Sequence, residues 1–150
     1  MGFVTKPHPH SMVQYKPNVR HAPMMRVAVR HRARENRGFL LAFLDNGADR
    51  SILSPWSLRF LEDMMGCKLP IRFYIRGAPF YDLAFSFDDG EHWFFPDTPV
   101  EYATSPRRYP WKEDMLIGRD LLGQFEFCCN GPAKTFSLQS FIGTEREDER

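Results

Sequence analysis

The stretch "FLLAFLDNGADRSILSP", from Phe39 to Pro55, decides how this 150-residue chain is interpreted. An apolar run ends at Asp45, and a short turn containing Gly47 follows before apolar residues resume. An Asn-Gly pair between apolar runs is a strong signal for a tight β-hairpin. The same residues place a carboxylate at the end of an apolar strand. The stretch therefore predicts either an ordinary turn or a loop that holds a reactive aspartate.

The composition indicates one globular domain, because 43% of the residues are hydrophobic and 15% are aromatic. The longest uninterrupted apolar run, residues 39–44, is too short to span a bilayer. The N-terminus also lacks the apolar core of a signal peptide. We therefore expect a cytoplasmic protein with no membrane partner.

The cysteines do not predict a metal centre. Cys67, Cys128 and Cys129 have no C-x-x-C spacing. On a strand, Cys128 and Cys129 would point to opposite faces, so the two thiols could not bind one metal together. The chain also lacks the glycine fingerprints of nucleotide-binding loops. We expect buried, reduced thiols, no metal and no cofactor.

The charge is distributed unevenly along the chain. Residues 1–37 carry eight Lys or Arg against Glu35 alone, a balance of +7, whereas the whole chain carries only +1. A basic arm of this kind can contact nucleic acid. The alternative is a solvated leader, which we favour because the aromatic residues that stack on bases are sparse there. Nucleic acid is therefore not the expected partner.

Three segments follow from the composition along the chain. Four prolines and no periodicity predict a flexible, basic leader at residues 1–23. We expect a folded domain at residues 24–142 and an acidic tail at residues 143–150. Within the domain, alternation after Met24 predicts a strand, and "FLLAFL" predicts a strand covered on both sides. "SPWSLRFLEDMMG" predicts a short helix that Ser54 caps and Gly66 ends.

The second half of the domain is predicted to be mostly sheet. Alternation in "LAFSF" and the turn "DDGE" predict a hairpin, and "FEFCCN" with "TFSLQSF" predicts a closing hairpin. "MLIGRDLLGQ" predicts a strand followed by a brief helix, with Asp120 capping its free backbone N–H groups. The expected fold is mostly β, a small barrel or a closed, distorted sheet with two short helices.

Two separated segments, "LLAFLDNGADRSIL" and "MLIGRDLLGQF", are each an apolar strand that ends in a glycine-containing turn. Together they resemble the retropepsin-like aspartic proteases, the single-domain family that includes the retroviral proteases. That family has apolar-apolar-Asp-Thr/Ser-Gly-Ala-Asp and, later, apolar-apolar-Gly-Arg-Asp/Asn before a short helix. The resemblance covers about residues 24–140. The matching residues are Asp45, Gly47, Ala48, Asp49, Leu116, Ile117, Gly118, Arg119 and Asp120.

The resemblance implies an aspartic endopeptidase with Asp45 as its catalytic residue. Two carboxylates a few Å apart share one proton, because like charges that close cannot both ionise. One carboxylate takes a proton from water while the protonated one polarises the scissile carbonyl, so no metal or cofactor is needed. Because this chain has one such motif, the resemblance implies a homodimer with one Asp45 from each subunit about a two-fold axis.

The same matching implies roles for the neighbouring residues. Gly47 would leave backbone N–H groups free to hold the carboxylate, and Ala48 and Asp49 would bind the substrate. Arg119 would pair with Asp49 and tie the second motif to the first. The alternative for this pair is two unrelated surface charges. Gly118 would form the turn that supports the site.

The family also closes a glycine-rich hairpin over its substrate. The best candidate is "IRGAPFY", with Gly77 and Ala78 as substrate-binding residues. An ordinary hairpin turn is the alternative, and "DDGE" at residues 88–91 is a competing tip. The aromatic-rich sheet predicts a cleft that prefers apolar side chains of an extended peptide or protein substrate.

Asn46 departs from the pattern, because the family has Thr or Ser at this position. That hydroxyl braces the two loops across the dimer axis. An amide can also donate and accept hydrogen bonds, but it is larger and could displace the aspartates. The leading hypothesis is an active dimeric endopeptidase. The alternative is a catalytically impaired dimer of the same fold that binds peptides.

Overall fold

The computed structural model describes residues 13–15, 23–130 and 135–140. The helices are α1, Ser57–Met65, and α2, Arg119–Leu122, and a 3-10 turn spans Pro106–Arg108. The mostly β class with two short helices is therefore confirmed. The strands are β1 Val13–Tyr15, β2 Met24–His31, β3 Arg37–Leu44, β4 Ile52–Leu53, β5 Phe73–Ile75, β6 Ala78–Tyr81, β7 Leu83–Ser86, β8 Val100–Tyr102, β9 Met115–Ile117, β10 Phe125–Asn130 and β11 Thr135–Ser140.

An eight-stranded mixed sheet contains both sequence motifs. Its strand order is β5-β6-β8-β4-β9-β3-β2-β7. Strands β3 and β9 run parallel, with Leu44 opposite Ile117. Because parallel strands end at the same edge of a sheet, the segments that follow β3 and β9 leave the sheet side by side. This topology brings the two motifs together although they are far apart in the chain.

The predicted closed barrel is not formed by the described strands. β5 and β7 are the two outer strands of the large sheet, and no described pairing joins them. A second sheet has the order β1-β11-β10 and contains the predicted closing hairpin. Its strand β1 belongs to the segment predicted as a flexible leader and pairs with β11. Residues 1–12, 16–22, 131–134 and 141–150, which include the predicted acidic tail at 143–150, lie outside the described residues.

The main core lies on one face of β3, beneath α1. Leu40, Ala42 and Leu44 are buried, whereas Leu41 on the opposite face is 41% exposed. The prediction that this strand is covered on both sides is therefore wrong at Leu41, although Phe43 farther along the same face is half-buried. The physical reason is that α1 packs on one face only, where a Cβ on Gly38 would lie 3.0 Å from the Leu61 side chain.

A second, smaller group of apolar residues packs against the opposite face of the sheet. We call it the second cluster. It includes three large aromatic side chains, of which Tyr109 packs edge-on against both Trp56 and Trp111. Its members are Phe43, Ala48, Ile52, Trp56, Ala103, Tyr109, Trp111 and Leu116. The second cluster therefore supports the loop after Asp45 from outside the main core.

Helix α1 begins later than its sequence predicts. Its N-cap is Trp56, which has no capping side chain. The Ser54 hydroxyl oxygen still accepts a hydrogen bond from the Ser57 N–H at 3.1 Å. The helix ends as predicted at Gly66, which has a left-handed φ of 72°. Neither described helix has the length and apolar character needed to cross a membrane.

The cysteines are more accessible than predicted. Cys67 is half-buried and Cys128 is exposed. The prediction of a buried thiol is wrong for Cys128 because its neighbour Phe127, on the opposite face of β10, packs against the core instead. The Cys129 side chain lies outside the described part of the chain.

Candidate active site

The loop after Asp45 is a tight turn but not a β-hairpin. The Ala48 N–H donates to the Asp45 carbonyl oxygen at 3.1 Å, which closes the turn. The strands before and after this turn are not neighbours, because β9 pairs with β3 on one side and with β4 on the other. The Asn-Gly pair therefore lies in a turn after which the chain does not pair with β3 again. It rejoins the sheet as β4, on the other side of β9.

The Asp45 side chain is held at one oxygen. The Asp45 N–H donates to the Ile117 carbonyl at 2.9 Å, which anchors the residue to β9. The Gly47 N–H donates to Asp45 Oδ1 at 2.9 Å, as the resemblance implies. Among the described residues, Asp45 Oδ2 accepts no hydrogen bond. Asp45 is half-buried and its neighbours Asn46 and Gly47 are exposed, so the turn lies at the surface of the protein.

Gly118 brings the second motif into contact with this loop. A Cβ on Gly118 would lie 2.7 Å from the Arg50 carbonyl oxygen and 2.8 Å from the Ala48 carbonyl oxygen. The next residue, Arg119, donates its N–H to the Ala48 carbonyl at 2.8 Å. Two backbone segments therefore meet where no side chain fits, and this close approach explains the glycine.

Arg119 and Asp49 form the predicted ion pair, between Nη2 and Oδ1. Both side chains are well exposed, at 56% and 81%. Exposed ion pairs contribute between about 0 and 1 kcal/mol to stability. The pair therefore orients two side chains at the loop more than it stabilises the fold.

Asp120 has a different contact from the one its sequence predicts. Helix α2 has no side-chain cap. The buried Asp120 carboxylate instead accepts hydrogen bonds from the Ser51 N–H at 3.0 Å and the Ser51 hydroxyl at 2.8 Å. The prediction is wrong because N–H groups at this helix start already have acceptors: Gly118 donates to Ser51 Oγ at 3.1 Å, and Arg119 donates to the Ala48 carbonyl.

Ser51 is therefore a supporting residue that sequence reasoning missed. It is 1% exposed and connects the loop after Asp45 to both Gly118 and Asp120. One signal in the sequence was available: Asp120 directly precedes the apolar pair Leu121–Leu122, which favours burial of this segment. A buried carboxylate requires hydrogen-bond donors, so a donor such as Ser51 could have been sought.

The candidate hairpin "IRGAPFY" is formed by β5 and β6. Arg76 and Gly77 make its two-residue turn, with φ values of 52° and 81°. Two positive φ values are typical of the turn that matches the twist of a β-hairpin. Gly77 is exposed at the tip, whereas Ala78 is buried. Ala78 and Arg76 line a cavity of about 390 Å³ together with Arg50 of the loop after Asp45.

The competing tip, "DDGE", is a loop closed by its own side chains. The Asp88 carboxylate accepts from the Ser86 hydroxyl at 2.7 Å and contacts His92 Nδ1 at 2.6 Å. Burial raises the pKa of Asp88, but these hydrogen bonds outweigh it and lower the pKa below its usual value. Asp88, Glu91 and His92 offer ligand atoms within 4.8 Å of one another, so a cation could be held here. The contacts within the group already serve to close the loop.

Comparison with known proteins identifies a similar fold but does not establish an activity. No protein-family model matches the chain, and no curated protein matches it. The crystal structure of a retropepsin-like aspartic protease from Rickettsia conorii is similar, with a TM-score of 0.53 and 14% sequence identity. The match covers 93% of this chain and 97% of that one. At this identity the likeness shows a shared fold.

Proposed function

We propose that the protein is an aspartic endopeptidase that acts as a homodimer, with Asp45 of each subunit forming the catalytic pair. The observation that carries this proposal is the position of Asp45 in a turn fastened to the second motif, within a fold shared with a retropepsin-like aspartic protease. The substrate is a peptide bond in an extended segment of a peptide or protein.

The chemistry follows from two carboxylates that share a proton. One Asp45 side chain accepts a proton from a water molecule, and the resulting oxygen nucleophile attacks the peptide carbonyl carbon. The other, protonated side chain donates to the carbonyl oxygen as charge develops there. Collapse of the tetrahedral intermediate then breaks the C–N bond, and a proton passes to the leaving nitrogen. In each subunit, the Gly47 N–H orients Oδ1 and leaves Oδ2 available for the water or the shared proton.

A second candidate function is peptide binding without catalysis. Asn46 is exposed, and its side chain forms no hydrogen bond with another described residue. Its own subunit therefore does not fix the amide, and two such groups at a two-fold axis could separate the aspartates. If the Asn46→Thr variant cleaves a peptide mixture that the natural chain leaves intact, this second candidate is favoured.

The decisive experiment compares the natural chain with Asp45→Asn. Both are incubated with a diverse peptide mixture from acidic to neutral pH, while sedimentation measures their molecular mass. We expect the substitution to lower peptide cleavage at least about a thousandfold and to leave the dimer intact, because it removes the base without changing the shape of the loop. Cleavage retained by the variant would contradict the mechanism.

A further inference from the structure

A cavity of about 390 Å³ lies between the loop after Asp45 and the hairpin of β5 and β6. We call it the arginine cavity, because three of its residues are arginines from three separate segments. Its lining residues are Arg50, Ile75, Arg76, Ala78, Phe80, Glu101 and Arg108. The cavity therefore combines a residue from the proposed catalytic loop with a hairpin proposed to bind substrate.

The arginine cavity carries more positive than negative charge. Arg50, Arg76 and Arg108 are exposed, and Glu101 is the one acidic residue in the lining. Within the described chain, none of the three guanidinium groups donates a hydrogen bond or forms an ion pair. By contrast, Arg119 pairs with Asp49 at the same loop. Three cations around one cavity therefore have their hydrogen-bond donors available for a ligand.

The backbones that carry these arginines are held in place. The Arg50 carbonyl packs against Gly118, where an added Cβ would lie 2.7 Å away. Arg76 occupies a two-residue hairpin turn. Arg108 ends the 3-10 turn, and its N–H donates to the Ser105 carbonyl at 3.1 Å. Fixed backbones reduce the ordering needed when a ligand binds, so that only the three side chains have to be ordered.

The chemistry of the lining indicates which ligand fits. A guanidinium group binds a carboxylate through two parallel hydrogen bonds, which is stronger and more directional than a contact with a neutral amide. The apolar groups of Ile75 and Phe80 provide a wall for the methylene groups of such a side chain. This lining differs from the apolar preference predicted for the cleft.

We propose that the arginine cavity is a substrate subsite that selects an acidic side chain, glutamate or aspartate, near the scissile bond. This inference rests on the proposed peptidase function, since it assigns the substrate class of the same site. It predicts that substrates carry a carboxylate at one fixed position relative to the bond that is cut.

The first measurement is the cleavage profile of the full-length protein on a decapeptide library. From the sequence that is cleaved best, or bound most tightly if none is cleaved, two peptides are made that differ only by Glu or Gln at the selected position. We expect kcat/KM to be about tenfold higher for the Glu peptide, because a charge-assisted hydrogen bond replaces a neutral one. Fluorescent versions of both peptides are also titrated against Asp45→Asn, where we expect a Kd about tenfold lower for the Glu peptide, without turnover.

Variants assign the preference to the arginines. The double variant Arg76→Gln/Arg108→Gln is expected to bring the Glu-to-Gln ratio close to one. Arg76→Glu/Arg108→Glu should reverse the preference in favour of a Lys peptide, because the sign of the cavity changes. Arg59→Gln is the matched control: it removes an exposed arginine that lines a different cavity, on α1, and should leave the ratio unchanged.

The outcomes separate this inference from the function on which it rests. Equal cleavage of the Glu and Gln peptides overturns the acidic subsite while the peptidase stands. A preference for Glu that persists in both double variants overturns the assignment to the arginines. Selective binding of the Glu peptide by a chain that cleaves nothing supports the subsite and contradicts the peptidase. If no peptide is bound or cleaved, both proposals are wrong.

Discussion

Gly118 is the residue at which the two motifs of the proposed site come into contact. Two carbonyl oxygens, of Ala48 and Arg50, lie where its side chain would be. Its N–H donates to the Ser51 hydroxyl, which in turn donates to Asp120. Both carbonyl oxygens that an added Cβ would meet belong to the backbone, so they cannot move aside by a change of side-chain rotamer.

We predict that Gly118→Ala destabilises the fold by about 1–3 kcal/mol, the usual cost of forcing an extra methyl group into a packed site. It should also reduce peptide cleavage, because the loop that carries Asp45 must shift. Urea unfolding measures the first effect, and initial rates measure the second.

Gly77→Ala is the comparison for this prediction. Gly77 has a φ of 81° but no neighbouring atom within 4 Å of an added Cβ. The Gly77→Ala variant should therefore lose about 1 kcal/mol of stability, the cost of placing alanine in a left-handed backbone conformation without any steric clash. A Gly118→Ala protein as stable as the natural chain would mean that the carbonyls are not as close as the structure describes.

Strand β9 is the element that turns two sequence motifs into one site. It lies between β3 and β4, parallel to the first and antiparallel to the second. The loop after Asp45 must therefore cross the end of β9 before β4 begins. On the face of the sheet away from α1, the second cluster packs against β9 through Leu116.

Tyr109 of the second cluster carries a buried hydroxyl group that has no hydrogen-bond partner among the described residues. Burial raises the pKa of this phenol, so the group is neutral at physiological pH. We predict that Tyr109→Phe leaves stability unchanged or raises it by up to about 1 kcal/mol, because it removes an unsatisfied buried polar group. Chemical unfolding provides the test.

Tyr102→Phe serves as the control, since its hydroxyl donates to the Pro55 carbonyl at 2.6 Å. Loss of that bond should lower stability by about 1 kcal/mol. If Tyr109→Phe costs as much as Tyr102→Phe, the Tyr109 hydroxyl has a partner after all. The pair of variants thus compares the same chemical change with and without a lost hydrogen bond.

The proposed catalytic unit is larger than one chain. Each subunit supplies one carboxylate held by its own Gly47 N–H, and the proposed mechanism needs two. A symmetric dimer would bring equivalent loops together at its axis.

We predict that Asp45→Asn subunits inactivate natural subunits by forming mixed dimers. After subunit exchange with a threefold excess of the variant, the activity per natural chain should fall to about one quarter, the fraction still paired with another natural chain. Peptide cleavage measured against the mixing ratio provides the test. Mixing with Arg59→Gln, which keeps both carboxylates, should leave the activity per total chain unchanged, and activity independent of the Asp45→Asn fraction would contradict the shared site.

The sequence by itself determined the class of the fold, most of the strands, the end of α1 at Gly66 and the position of Asp45 in a tight turn. These features depend on neighbours along the chain, through alternation, glycine conformation and apolar runs. Only the tertiary structure decided that β9 separates β3 from β4, that Leu41 is exposed, and that Asp120 contacts Ser51, 69 residues away. It also brought Arg50, Arg76 and Arg108 to one cavity. Burial and strand order arise from contacts between segments that are distant in sequence, and a local pattern does not specify which distant segment will meet it.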